Sequence, residues 1–257
     1  MTKNRMLMCL LVLLLPFGVQ SAQAVPLTPL VLTLSSGGTT VIVTDDLDDP
    51  LDLGVDAGSI IFDGAVGDFF INLTIGSSYP ARGGPALANI NLQSFNVSSA
   101  VAGEIVITLS DMNYGTPESG FFVAAGTTLN AATTATGFMS NAAAGSSVSL
   151  QSWIDQGNSG TAAGTQILSE STADPTFAVT DSAAPFVYSG SPFSLFQQAT
   201  VVFTGAADGF SPISVNLSGV DTAVSPAPVA VPEPGSLLLL STGLLFGAAV
   251  ARRRQRR

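Results

Sequence analysis

In the run Phe69-Phe70-Ile71-Asn72-Leu73-Thr74-Ile75 (FFINLTI), apolar residues at 69, 71, 73 and 75 alternate with Phe70, Asn72 and Thr74. A period of two with one polar face is the pattern of an antiparallel strand buried on one side. The same alternation recurs outward along the chain. Ile105, Ile107 and Leu109 interleave with Val106 and Thr108; Ala199, Val201 and Phe203 with Thr200, Val202 and Thr204; Ile213, Val215 and Leu217 with Ser214, Asn216 and Ser218. Val41–Val43 and Ile60–Phe62 are short apolar runs that fit further, more buried strands. Between Ile90-x-Leu92 and Phe95-x-Val97 the phase slips by one residue, which predicts a β-bulge. Gly, Ser, Asn and Asp clusters punctuate these runs at the short intervals that sandwiches and jelly rolls require. The stretch 127–165, rich in Ala, Thr, Gly and Ser, reads as loops or short edge strands. No segment of the body shows sustained helical periodicity. The reading is an all-β fold: one antiparallel, jelly-roll-like β-sandwich of ten to fourteen strands over 25–220. Prolines at 226 and 228 make 221–230 a semi-rigid, Pro-rich spacer.

Charge excludes most functions before any motif is considered. The 257 residues hold 18 acids, 8 bases and no histidine. Seven of the bases lie at the two ends, so the long stretch between has one cation, Arg82, against every carboxylate. Such a body cannot neutralise phosphates, which argues against nucleic acid as a partner. Lys3 and Cys9 are the only lysine and the only cysteine. Without His, Lys or Cys the body has no Ser-His-Asp, Cys-His or Ser-Lys constellation, no Schiff-base lysine and no His/Cys zinc site. No catalytic residue is assigned, and the body is read as not being an enzyme.

The ends carry their own patterns. Residues 1–24 read as a signal peptide: Met1–Arg5 is cationic, and Met6–Val19 is apolar and too short to span a bilayer. Ala22 and Ala24 form the small-x-small site at which signal peptidase would cut, implying export through the Sec route. Cys9 lies inside the apolar region, so the mature chain is expected to lack thiols and must be stabilised by burial alone. At the other end, residues 231–257 contain Pro232-Glu233-Pro234, then Gly235–Ala251 without a charge, then Arg252, Arg253, Arg254, Arg256 and Arg257. Seventeen helical residues reach roughly 25 Å, near the lower limit for a span. This predicts a single C-terminal transmembrane helix with the arginines as its cytoplasmic stop and the ectodomain outside. Gly243 and Gly247 form a small-xxx-small pair, which admits either close helix packing or no special role.

The Pro-Glu-Pro triplet, the short apolar helix and the terminal arginine cluster together resemble the PEP-CTERM sorting tail of exopolysaccharide-producing Gram-negative bacteria. The resemblance implies processing by exosortase, a multi-span membrane cysteine transpeptidase. Pro232, Glu233 and Pro234 would be its recognition triplet, Gly235–Ala251 the hold in the membrane and the arginines the stop. The run 39–79 (TTVIVTDDLDDPLDLGVDAGSIIFDGAVGDFFINLTIGSSY) is also similar to the opening region of PEP-CTERM ectodomains, with an acidic loop before Gly-x-Ile-x-Phe-x-Gly. The resemblance implies a membrane-anchored precursor with its ectodomain in the periplasm. That precursor would then move to the outer surface or the extracellular matrix. A structural or adhesive role in an exopolysaccharide or biofilm matrix is the expected task, with exopolysaccharide as a partner. The triplet has its own physical logic: prolines on both sides hold Glu233 in an extended backbone, the shape a protease cleft accepts.

Two further features bear on chemistry. Asp45, Asp46, Asp48, Asp49, Asp52 and Asp56 fall within twelve residues, and calcium binds six to eight oxygens, often from one short loop. The spacing is not that of an EF-hand. The alternatives are a calcium site serving a calcium-dependent carbohydrate- or matrix-binding module, and a solvated acidic loop that keeps the domain soluble. Glu104, Asp111, Glu118, Asp155 and Glu170 are carboxylates from which a glycosidase pair could be drawn, making a secreted carbohydrate-active enzyme the remaining alternative. Trp153, Tyr79, Tyr114 and Tyr188 are a thin supply of aromatic platforms for sugar rings.

Overall fold

Alternating apolar residues pair into thirteen strands among the described residues of the computed structural model, which are 30–45, 48–78, 81–116, 119–209 and 211–228. In chain order they are β1 (Val31–Ser36), β2 (Thr39–Thr44), β3 (Ser59–Val66), β4 (Phe69–Ser77), β5 (Ala88–Ser99), β6 (Gly103–Tyr114) and β7 (Thr128–Ser140). Then follow β8 (Ser147–Asp155), β9 (Thr165–Thr172), β10 (Thr176–Ser182), β11 (Phe186–Val187), β12 (Phe193–Phe203) and β13 (Ile213–Pro226). Turn chemistry sets the hairpins. Gly37 and Gly38 have φ of 57° and 83°, and only a residue without Cβ adopts two such angles freely in a two-residue turn between β1 and β2.

Two antiparallel sheets result. The six-stranded sheet runs β2-β1-β6-β12-β8-β9; the seven-stranded one runs β10-β7-β13-β5-β4-β3, with β11 paired to β7. Their inner faces are the alternating residues anticipated from sequence: Ile71, Ile107, Val201 and Val215 are fully buried. Each such Val, Leu, Ile or Phe contributes about 1.5–3 kcal/mol by leaving water. Aromatic rings close the two ends of the core. Phe69 and Phe203 stack from opposite sheets at 5.8 Å. At the other end Phe193 stacks on Tyr114 at 5.5 Å and meets Phe121 edge-on at 5.6 Å.

One layer of the core is polar. Gln197 on β12 crosses between the sheets, its Nε2 donating to the carbonyls of Ile90 (3.1 Å) and Val220 (3.0 Å) and to Thr222 Oγ1 (2.8 Å). Thr133 Oγ1 lies 2.9 Å from Thr222 Oγ1 and 2.6 Å from Ser152 Oγ. All four side chains are wholly buried.

Several expectations are corrected. The stretch 127–165 is not loops and edges. It supplies β7 and β8, each with a neighbour on both sides. Leu129, Ala131, Thr133 and Ala135 face inward from β7, and Val148, Leu150, Ser152 and Ile154 from β8. In β7 alanine and threonine carry most of the alternation, so hydropathy does not reveal it; in β8 it is carried by Val148, Leu150 and Ile154 between Ser147, Ser149, Gln151 and Trp153. The spacer does not begin at 221, because β13 continues to Pro226 with Thr222 and Val224 buried. Its last residue pairs with Leu129, where a proline can end a strand. Val41–Val43 and Ile60–Phe62 lie in edge strands with one buried face, and Ile42 is exposed.

The phase slip is real, although its bulge falls elsewhere. Ile90 and Leu92, then Phe95 and Val97, are buried, while the register of β5 runs unbroken against both β4 and β13. β13 slips with it, from Leu217 to Val220. The register shifts lie on the outer sides of this trio, between β13 and β7 at Leu217/Gly219 and between β3 and β4 at Ile60/Phe62.

Gly137 in β7 tests the corrected assignment. A Cβ there would lie 2.6 Å from the Phe177 ring and 2.9 Å from Leu217 Cδ2. Gly137→Ala is expected to lower unfolding free energy by about 1–3 kcal/mol in denaturant titration. The exposed neighbour substitution Thr136→Ala should stay within about 0.5 kcal/mol.

Candidate functional site

Beyond the slip, β5 turns Ile90 and Leu92 into the core and Asn89, Asn91 and Gln93 toward the outer face of the seven-stranded sheet. Asn91 pairs in register with Asp221 of β13 on one side and Ser77 of β4 on the other. A row of amides on an outer sheet face would ordinarily be hydrated. Here Asn89, Asn91 and Ser77 are 5%, 3% and 2% exposed. The connection between β4 and β5 folds back over them. Its Gly84 and Leu87 exchange backbone hydrogen bonds of 2.8 and 3.0 Å, Arg82 N–H donates to Ser78 O, and Pro85 O accepts from Phe122 N–H at 2.7 Å.

Between this segment and the sheet lies a pocket of about 670 Å³, lined by Asp56, Ser59, Ser77, Arg82, Leu87, Asn89, Gln93 and Asp221, with Ala81, Gly83 and Ala223. Asn89 Nδ2 donates to Asp221 Oδ1 at 2.5 Å and to Thr222 O at 3.2 Å, which leaves Oδ1 as the free end of the amide. Asn89 Oδ1, Ser77 Oγ and Asn91 Oδ1 are buried without a hydrogen-bond partner. Arg82 Nη1 lies 3.5 Å from Gln93 Oε1. The lining thus presents one guanidinium, two carboxylates, two amides and two hydroxyls, with Leu87 as its large apolar member.

Next to this floor sits a buried acid. Asp111 at the end of β6 accepts from Ser78 Oγ at 2.5 Å and from Met112 N–H at 2.7 Å. Burial outweighs these bonds and pushes its carboxyl up to about 6. Burial, together with Asp111, also pushes the Tyr114 phenol well up, while its hydroxyl donates to Asn89 O at 2.9 Å.

In the acidic loop the carboxylates bond to backbone amides. Asp45 Oδ2 accepts from Gly58 N–H at 2.6 Å. Asp49 accepts from Thr44 and Leu51, and Asp52 Oδ1 from Gly54 and Ile61. These carboxylates fasten the loop to the ends of β2 and β3. Asp48 stands in the loop, Asp56 lines the pocket, and Asp46 lies outside the described residues. Among the described residues, no three acidic, histidine or cysteine side chains form a group that could hold a metal ion.

Of the carboxylates singled out for glycosidase chemistry, Glu104 and Glu170 are exposed, and Glu118 lies outside the described residues. Asp155 is partly desolvated, but bonds from Ser159 and Gly157 outweigh this and hold its carboxyl low. None of these described four lines the pocket. The two carboxylates that share it, Asp56 and Asp221, were not paired by sequence reasoning, nor were Asn89, Gln93 and Ser77 singled out. The amide-rich alternation Asn89-x-Asn91-x-Gln93 and the isolation of Arg82 were the available signals. Trp153 packs edge-on against Phe196 at 5.4 Å on the outer face of the other sheet, while Tyr114 and Tyr188 are buried. Ala22, Ala24, Pro232, Glu233, Pro234, the 235–251 segment and the five terminal arginines lie outside the described residues.

Residues 230–256 match the PEP-CTERM protein-sorting motif. No curated protein matches the chain. Among solved structures, the infectious bursal disease virus Gx strain is similar at 13% identity over 81% of this chain, with a TM-score of 0.32. This chain spans 60% of that one. The Clostridium thermocellum xylanase 10B CBM22-1–GH10 modules complexed with xylohexaose are 10% identical over 68% of this chain and 27% of theirs, with a TM-score of 0.28. A xylan-binding domain from CBM 22 is 14% identical over 68% of this chain and 99% of its own, with a TM-score of 0.24.

Asp111 sets a pH dependence. A carboxyl raised from 3.8 to about 6 on folding holds its proton better in the folded state. Its contribution to stability is fully present below pH 3.8 and is lost as pH rises through about 6, by at most about 3 kcal/mol. Unfolding free energies measured from pH 4 to 7 should therefore fall more steeply in the wild type than in Asp111→Asn. Parallel curves would contradict the assignment.

The loop assignment has its own check. Asp52→Ala removes the acceptor for two backbone N–H groups and is expected to cost about 1–3 kcal/mol in calcium-free buffer. A calorimetric melting temperature identical to the wild type would show that the loop does not depend on it.

Proposed function

We propose that this chain is an exported protein of the cell surface or extracellular matrix, sorted by exosortase through its tail. Its task is structural or adhesive, within an exopolysaccharide or biofilm matrix. The observation that carries the reading is the sorting motif at 230–256, placed directly after the last strand of a disulfide-free sandwich. β13 ends at Pro226 and the triplet begins at Pro232. The five residues between them reach at most about 18 Å when fully extended. The body is thus held close to the bilayer surface until the tail is removed, and the triplet stays within reach of a membrane-embedded enzyme.

The two prolines keep Glu233 out of helix and leave its carboxylate as a charged handle for a basic group in the processing enzyme. The apolar 235–251 segment holds the chain during that encounter, and the arginines prevent it from sliding through. The near absence of cations in the body suits a protein that stays dispersed among its own kind outside the cell. No catalytic role is assigned to it.

Mass spectrometry of the surface-associated protein should find a C-terminus near Pro234 and no peptide from 237–257. Replacing Pro232, Glu233 and Pro234 together by alanine should leave the tail intact and the chain in the membrane fraction. A mature surface form that retains the tail would refute the sorting route.

A further inference from the structure

We propose that the pocket under the 81–87 segment binds one ring of a neutral polysaccharide. Its biological setting rests on the matrix reading above, while its chemistry rests on the lining.

The volume of about 670 Å³ lies within the range of small-ligand sites. Its floor is buried and its rim, at Asp56, Ala81 and Leu87, is exposed, so a ring can enter while the rest of a polymer continues in solvent. Each sugar hydroxyl is both donor and acceptor, and neighbouring hydroxyls on a ring match the two-pronged ends of a carboxylate, an amide or a guanidinium. Asp56, Asp221, Asn89, Gln93 and Arg82 supply all three kinds. The Asn89 amide nitrogen is already committed to Asp221 and Thr222 O, so the remaining need of that side chain is for a donor. Ser77, also in the lining, has an unpartnered hydroxyl. Leu87 gives the C–H face of a ring an apolar contact.

Charge narrows the class. Two carboxylates and one guanidinium line the pocket, so an acidic sugar would gain one favourable partner and meet two repulsive ones. A bare divalent cation would meet the guanidinium of Arg82. A neutral ring meets neither obstacle. Arg82 is the only cation between the two ends of the chain, and it is placed here.

The test uses the full chain purified in a zwitterionic detergent, since sugar-headed detergents would compete. Isothermal titration calorimetry would be run with neutral β-1,4-linked glucose, mannose and xylose hexamers, a uronic-acid hexamer, and calcium chloride alone. At least one neutral hexamer should bind with Kd between about 10 μM and 1 mM, the weak range expected of a single-ring contact. Arg82→Ala and Asp56→Asn, both on exposed or half-exposed segments, should each weaken it at least about tenfold. Trp153→Ala on the opposite sheet, and added EDTA, should leave it unchanged. Binding by no neutral hexamer, binding only by the uronic acid, binding abolished by EDTA, or binding untouched by both pocket variants would each overturn the proposal. Fractionation of the producing cells separates the two readings. A tail-cleaved matrix protein that binds no sugar defeats the pocket alone, and a sugar-binding chain with an intact tail defeats the sorting route alone.

Discussion

Gln197 controls how the two sheets sit on one another. A core of Val, Leu and Ile alone tolerates small slides, because any apolar surface satisfies any other. A wholly buried amide does not: displaced by one residue, its N–H groups would lose the Ile90 and Val220 carbonyls and Thr222 Oγ1, at about 1–3 kcal/mol. Thr133 and Ser152 extend the same layer, so five strands from both sheets, β5, β7, β8, β12 and β13, share one hydrogen-bonded layer. The carbonyls that Gln197 reaches belong to β5 and β13, the two strands that change phase together. Polar layer and phase slip therefore occupy one level of the sandwich, and each stabilises the other.

From that level the pocket follows. Once β5 and β13 have slipped, Asn89, Asn91, Gln93 and Asp221 face outward, where the β4–β5 connection lies over them. The covering segment is tied by its own backbone bonds and by Pro85 O to the chain beyond β6. The pocket floor is continuous with the core: Tyr114 bonds to Asn89 O from below, and Asp111 takes the hydroxyl of Ser78, next in sequence to lining residue Ser77.

Electrostatics organise the neighbouring loop. Six aspartates within twelve residues repel one another, and in the folded chain Asp45, Asp49 and Asp52 each accept backbone N–H bonds. Amide dipoles thereby offset part of the repulsion. The same bonds brace the start of β3 and bring Asp56 to the pocket rim. On the proposed reading, a rigid acidic body and a removable tail divide the work of the chain, with only a few residues between the last strand and the cleavage region.

The sandwich class was legible in runs such as FFINLTI, because alternation is a local property and any sheet with one buried face enforces it. The sorting tail was legible for the same reason: triplet, apolar segment and arginines act in linear order. β7 escaped notice because most of its inward residues are Ala and Thr, whose burial is decided by what packs opposite; β8 carries Val148, Leu150 and Ile154 at a period of two, a legible pattern obscured by the Gly-, Ala- and Ser-rich sequence around it. The extent of β13 was hidden by Pro226, which a strand end accommodates. The pocket was beyond sequence altogether. Asp56, Arg82, Asn89 and Asp221 are up to 165 positions apart, and only the pairing of β5 with β13 and the fold-back of 81–87 bring them together. Local periodicity determines which residues leave water. Which of the remaining polar residues meet one another is a matter of strand order and register, and those are set by the packing of the whole chain.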